Sequence, residues 1–185
     1  ISEIGYEMYQ KILNEAILEL QDVDHPTFEM ADNSALLLRE CLLETDVRAM
    51  LPTDYVGSVS ERMSLYKELQ SLKTDEELAA FRAKLADMFG PLPEEAHELL
   101  RIIPLRRKGA ELYMEKMSLK NNKLTGFFSP GMNSPFYESD TFTRVLAFMQ
   151  KNHPQVQIQE HNKKAMLTIH NVPTVKAALH WLNQI

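Results

Sequence analysis

A chain of 185 residues, 44% hydrophobic and 25% charged, has an ordinary globular composition and room for one good-sized domain plus an appendage. The absence of any apolar run of about 18 residues argues against a membrane-spanning helix, and a lone cysteine, Cys41, rules out an internal disulfide framework and fits a reducing cytoplasm. The net charge of −6 is unevenly spread, with 8 basic and 21 acidic residues over 1–100 against 12 basic and 5 acidic over 101–185. The acidic half argues against nucleic-acid binding by the whole chain; the basic half keeps a local version open.

The N-terminus, Ile-Ser-Glu-Ile, shows no signal peptide and no initiator Met, so a piece of a longer chain is expected. Residues 2–21 read as a long amphipathic helix, with Ile4, Met8, Tyr9, Ile12, Leu13, Ala16, Ile17 and Leu20 recurring at helical spacing. Packing on its own domain and docking on a neighbouring one are equally open for it. Residues 22–35 lack periodicity and read as a linker. Leu36–Leu38 and Cys41–Val47 suggest a strand, with a helical start as the alternative, and Pro52 and Gly57 bracket a loop carrying Asp54 and Tyr55.

Three helices are predicted next. Ser58, with Glu61 three residues on, opens the first, with Ser60 as the alternative cap, and its inner face is Arg62, Leu65, Tyr66, Leu69 and Leu72. The second runs from Thr74 to Gly90: Thr74 and Glu77 have capping-box spacing, Asp75, Glu76 and Glu77 suit the positive end of the helix dipole, and Gly90-Pro91 stops it. Leu78, Phe81, Leu85 and Phe89 form its core stripe, while Asp87 points away, with Lys84 beside it and Met88 on the boundary. The third starts near Pro93, buries Ala96, Leu99, Leu100 and Ile103, and should kink or break at Pro104 before resuming to about Leu112.

From Met114 the period changes to two. Residues 114–120 and 124–128 read as a hairpin across Asn121-Asn122-Lys123, and 155–161 and 165–170 as a second across Asn162-Lys163-Lys164. Asp140 is the candidate cap of an intervening helix facing inward with Phe142, Val145, Leu146 and Met149, and Asn171 caps the last, with Val175, Ala178, Leu179 and Leu182 inward. The fold class is α+β, helices packed on a small mixed or antiparallel sheet behind a long N-terminal amphipathic helix.

Chemistry is hard to find. His97-Glu98 starts like a zincin helix, but Arg101 stands where the second His is needed, leaving a solvated helix face. His161 and His170 flank the second hairpin, where they could approach each other, without a third ligand. Cys41 fits a small packed hydrophobe. Residues 126–131 lack the Lys-Ser/Thr of a phosphate-binding loop, and no nucleophile elbow is present. No catalytic residue, cofactor or metal is therefore assigned. The basic run Arg101, Arg106, Arg107, Lys108, Lys116, Lys120 and Lys123, with Phe127 and Phe128 nearby, could track a phosphate backbone; a solvated face balancing the acidic half is the plainer reading.

Ordered motifs carry a family resemblance. Pro52-x-Asp54-Tyr55-Val56, Arg62-x-x-Leu65-Tyr66-Lys67, Leu85-x-Asp87-x-Phe89-Gly90-Pro91-Leu92-Pro93 and Leu99-Leu100 resemble the C-terminal domain of the bacterial transcription-repair coupling factors. Residues 4–9, Ile-Gly-Tyr-Glu-Met-Tyr, with Leu13 and Ala16, resemble the segment after that family's translocase motor. The likeness covers residues 1–128 by motif and the remainder by layout. It implies a hook-helix tail at 1–21, a linker at 22–35 and a regulatory, non-catalytic domain at 36–185.

The resemblance also implies partners. The parent would be a cytoplasmic bacterial translocase binding ATP, double-stranded DNA, RNA polymerase and the repair protein UvrA. The C-terminal domain would dock on an N-terminal UvrB-like module, masking the UvrA surface and restraining the motor. The family's docking helix carries an acidic-x-x-Asp-Arg pattern, which falls here on Lys84, Asp87 and Met88; only the Asp is kept, and the edge becomes mixed and partly apolar. The alternative function is a nucleic-acid-binding accessory domain using the basic 101–128 face.

Overall fold

Helix formation between residues 58 and 111 follows the capping signals. In the computed structural model, which describes residues 41–131 and 134–185, the Ser58 hydroxyl accepts from the Glu61 amide at 3.3 Å and opens α1 (Val59–Ser71). Thr74 and Glu77 complete both halves of the capping box of α2 (Asp75–Phe89), each bond at 3.2 Å. Gly90, at φ 86°, donates back to the Ala86 carbonyl and ends it. The predicted helix 2–21, linker 22–35 and domain start at 36 lie outside the described residues.

These residues form two compact units, Arg48–Leu100 and a second of 41–47 with Arg101–Ile185; α3 (Glu94–Glu111) begins in the first and ends in the second. α3 runs through Pro104 without a break, where a kink or a break was expected. The lost backbone bond and ring clash cost about 3 kcal/mol. The burial of Leu99, Leu100, Ile102, Ile103 and Leu105, each contributing roughly 1.5–3 kcal/mol, outweighs it.

In the first unit, α1 buries Arg62, Leu65, Tyr66 and Leu69, and α2 buries Leu78, Phe81 and Leu85. Phe89, expected in the core stripe, is half-buried against the Tyr55 ring, centroids 5.7 Å apart. The Tyr66 hydroxyl accepts from the Leu51 amide at 2.9 Å, and burial raises its pKa. Glu98, read as part of a solvated face, is buried; a carboxylate there needs a partner, and it has one.

The second unit is a five-stranded mixed sheet, β1 (Leu42–Thr45), β2 (Met114–Lys120), β3 (Lys123–Phe128), β4 (Val156–His161) and β5 (Lys164–His170), in the order β1-β2-β3-β5-β4. Only the β1–β2 pairing is parallel. Both hairpins turn on two residues at positive φ, Asn121-Asn122 and Asn162-Lys163, so Lys123 and Lys164 belong to strands and not to turns. His161 pairs with Lys164 at the turn while His170 ends β5, six residues further along, so the two histidines do not approach each other. His161 instead stands edge-on to Phe127 at 6.1 Å.

Two caps differ from expectation. Ser139, not Asp140, caps α4 (Asp140–Asn152), and Thr174, not Asn171, caps α5 (Val175–Leu182). In each case a hydroxyl one residue before the helix reaches the N3 amide, leaving Asp140 as first-turn charge and Asn171 in a left-handed turn at φ 59°. α4 buries Phe142, Val145 and Phe148, with Leu146 and Met149 only half-buried. Phe128, Phe136, Tyr137 and Phe142 form an aromatic cluster, and the Tyr137 hydroxyl donates to the Pro130 carbonyl at 2.8 Å.

Candidate functional site

The outer edge of α2 is exposed at Ala79, Ala80, Ala83, Lys84, Ala86, Asp87 and Met88. Its three candidate residues have different surroundings. Lys84 reaches across to α1, where its ammonium lies 2.7 and 2.9 Å from the two carboxylate oxygens of Glu68. Asp87, three residues on, has no ion pair among the described residues. Met88, next to Asp87, is 52% exposed.

Asp87 also sits at the wrong end of its helix. The last turn of α2 holds no basic residue, and a carboxylate there opposes the helix dipole at a cost of about 0.3–1 kcal/mol. No ion pair among the described residues offsets this charge. An external cation would offset it.

The edge is held from behind. The Tyr55 hydroxyl lies 2.9 Å from the Gly90 carbonyl and 3.1 Å from that of Leu85, so its single hydrogen is shared between two acceptors at the end of α2. Tyr55 belongs to a turn in which the amides of Tyr55 and Val56 both donate to Pro52. Arg62, buried on α1, fastens the same turn by donating to the carbonyls of Val56 and Gly57. Sequence reasoning placed Tyr55 in a loop and Arg62 on an inner face without seeing this brace. An arginine among Leu65, Tyr66 and Leu69 was the available signal, since a buried guanidinium requires acceptors.

The basic run 101–128 is split by the structure. Arg106 donates to the Cys41 carbonyl at 2.8 Å, and Lys108 pairs with Glu111 at 3.7 Å. Phe128, a candidate stacking residue, is fully buried in the aromatic cluster because it alternates to the covered face of β3. Lys116, Lys120, Lys123 and Phe127 lie on the opposite, open face. There Lys116 and Lys120 share Glu44, at 2.6 and 3.2 Å, and these bonds, chiefly that from Lys116, hold the Glu44 pKa below its ordinary 4.5. Among the described residues no cluster of three His, Cys, Asp or Glu side chains could hold a metal ion, and no helix is long and apolar enough to cross a membrane.

Residues 45–139, just over half of the chain, match the family model of the TRCF domain. The chain belongs to the TRCF family. Its relatives include the transcription-repair-coupling factors of Escherichia coli, 30% identical over 81% of this chain, and Haemophilus influenzae, 34% identical over 57%. The chain spans about a tenth of the length of these relatives, 11% and 9%. The crystal structure of a C-terminal domain of transcription-repair coupling factor superposes with a TM-score of 0.62, covering 80% of this chain and 94% of that one; at 17% identity this speaks for the fold alone. The chain thus carries a TRCF domain, with the fold seen in that C-terminal domain.

Proposed function

We propose that this TRCF domain is the docking module that holds a cytoplasmic DNA translocase in its resting state. Through the α2 edge it would bind the UvrB-like N-terminal module of the same protein, hide the UvrA-binding surface and restrain the motor. The parent would engage RNA polymerase, double-stranded DNA and ATP, and this domain would contribute no cofactor or catalytic group of its own.

The observation that carries the reading is the state of the edge: Asp87 without an ion pair among the described residues, at a helix end that penalises it, beside the exposed Met88. Where the family pattern has an acidic residue, Lys84 is neutralised by Glu68. Asp87 and Met88 are therefore the contact pair, and the partner surface should offer a cation next to an apolar seat. The exposed alanines 79, 80, 83 and 86 would let a partner's backbone come close.

Restraint requires contacts present in the closed state and lost in the open one. In the parent protein, removing residues 36–185 should raise basal ATP hydrolysis and UvrA binding; wild-type behaviour in both assays would overturn the reading. Calorimetric titration of this chain with the N-terminal module tests the site directly. Asp87→Lys should weaken binding at least tenfold without lowering the thermal midpoint, whereas unchanged affinity would remove Asp87 from the interface.

A further inference from the structure

The open face of the sheet in the second unit is a separate surface, and it is not a plain solvated one. β2, β3, β5 and β4 are all antiparallel neighbours, and their open-face residues align in rows. One row is Lys120, Lys123 and His170; the next is Ser118, Thr125, Thr168 and Gln157; a third is Lys116, Phe127, Met166 and Gln159. All but Lys116 line an open concavity of about 520 Å³. The four steps along β3 from Lys123 to Phe127 span roughly 14 Å, as do four adjacent strands.

Two features are unfavourable for the fold alone. Lys120 and Lys123 are direct cross-strand partners. Like charges placed opposite one another weaken a sheet. Glu44 answers Lys120, but Lys123 has no ion pair among the described residues. Phe127 is only half-buried, its ring beside that of His161. The wider unit is basic, with 12 Lys and Arg against 7 Asp and Glu over 41–47 and 101–185.

We propose that this face binds single-stranded nucleic acid, over a run of a few nucleotides. The phosphates lie along Lys120 and Lys123, a base stacks on Phe127 with Met166 beside it, and the amides of Gln157 and Gln159 meet sugars and base edges above a floor formed by the buried Thr125 and Thr168. Lysine charge with a half-exposed aromatic ring on a polar platform suits a ligand that has both an anionic backbone and π-faces. An acidic peptide would satisfy the lysines and leave the ring unused; a duplex would present phosphates and hide its base faces. The proposal is independent of the α2 edge, so Asp87→Lys should leave it unaffected.

The test is fluorescence anisotropy of the full chain with labelled single-stranded DNA and RNA of about a dozen nucleotides, long enough for one sheet platform. Binding should weaken with salt, and Lys123→Gln should lower the log–log slope by about 0.7, the value for one phosphate contact on a single strand. Phe127→Ala should weaken binding roughly tenfold. Should that variant unfold, Phe127→Leu keeps the apolar bulk, removes the ring and decides the point. A preference for DNA or for RNA identifies the source of the strand and supports the proposal either way. No binding at low salt, equal affinity for the matching duplex, displacement by polyglutamate at equal charge, or indifference to the Phe127 variants would each overturn it.

Discussion

The Tyr55 hydroxyl lies 2.9 Å from the Gly90 carbonyl, joining the turn at 52–57 to the residue that ends α2. A helix terminus leaves its last carbonyls without intrahelical donors, and here a side chain from another segment supplies one. Because Phe89 also packs on the Tyr55 ring, one residue sets both the polar and the apolar ends of the brace behind Asp87 and Met88.

Tyr55→Phe separates these roles, keeping the ring and removing the donor. The loss should be about 0.5–1.5 kcal/mol, lowering the thermal midpoint by a few degrees at most. Hydrogen exchange should report it locally, with faster exchange at the Gly90 amide, which donates to Ala86, and little change in α1. Uniform loss of protection through α1 and α2 would mean that Tyr55 supports the whole unit instead of one helix end.

Asp87→Asn distinguishes a site residue from a structural one. Removing a charge that opposes the helix dipole should leave the isolated chain as stable or slightly more so, by up to about 1 kcal/mol. The same change should weaken docking to the N-terminal module. A fall in thermal midpoint would show that the carboxylate works for the fold, and the argument from its unfavourable position would fail.

Much of this was legible in local chemistry. The box of Thr74 and Glu77, the stop at Gly90 and the outward position of Asp87 depend on spacing within one helix, and spacing is visible in a sequence. What needed the structure were relations between distant segments: Lys84 with Glu68, Tyr55 with Gly90, and Glu44 with Lys116 across 72 positions. The caps at Ser139 and Thr174 were displaced because Asp140 and Asn171 are also good capping types, and only backbone geometry chooses between neighbours. The split of the basic run followed from strand alternation, which places Phe127 and Phe128 on opposite faces.

Glu44 gives a pH prediction. Its pKa is depressed in the folded chain, so its stabilising contribution is present above the unfolded value and is lost as pH falls through the folded one, below 4.5. Thermal midpoints of wild type and Glu44→Gln should therefore differ at pH 7, with the variant lower, and converge in that acid window. Both partners are part-exposed, so salt should shrink the difference. A gap that persisted at pH 3 would point to lost packing in place of lost charge.

The contact of Gly109 with Cys41 supports a coupling test. Helix propensity alone favours Gly109→Ala by about 1 kcal/mol. A Cβ there, however, would stand 2.8 Å from the Cys41 sulfur and 2.8 Å from the Met117 methyl, and overpacking of this kind costs about 1–3 kcal/mol. Met117 presents the far end of a flexible chain and can move aside, whereas the short Cys41 side chain is buried, with its thiol pKa pushed up to about 12 by that burial. Gly109→Ala should thus destabilise the wild type but become neutral or stabilising in a Cys41→Ala background, where the sulfur is gone. Denaturant titration of the four proteins gives the coupling directly. Strict additivity would place the clash on Met117 and show that Cys41 yields more readily than its burial implies.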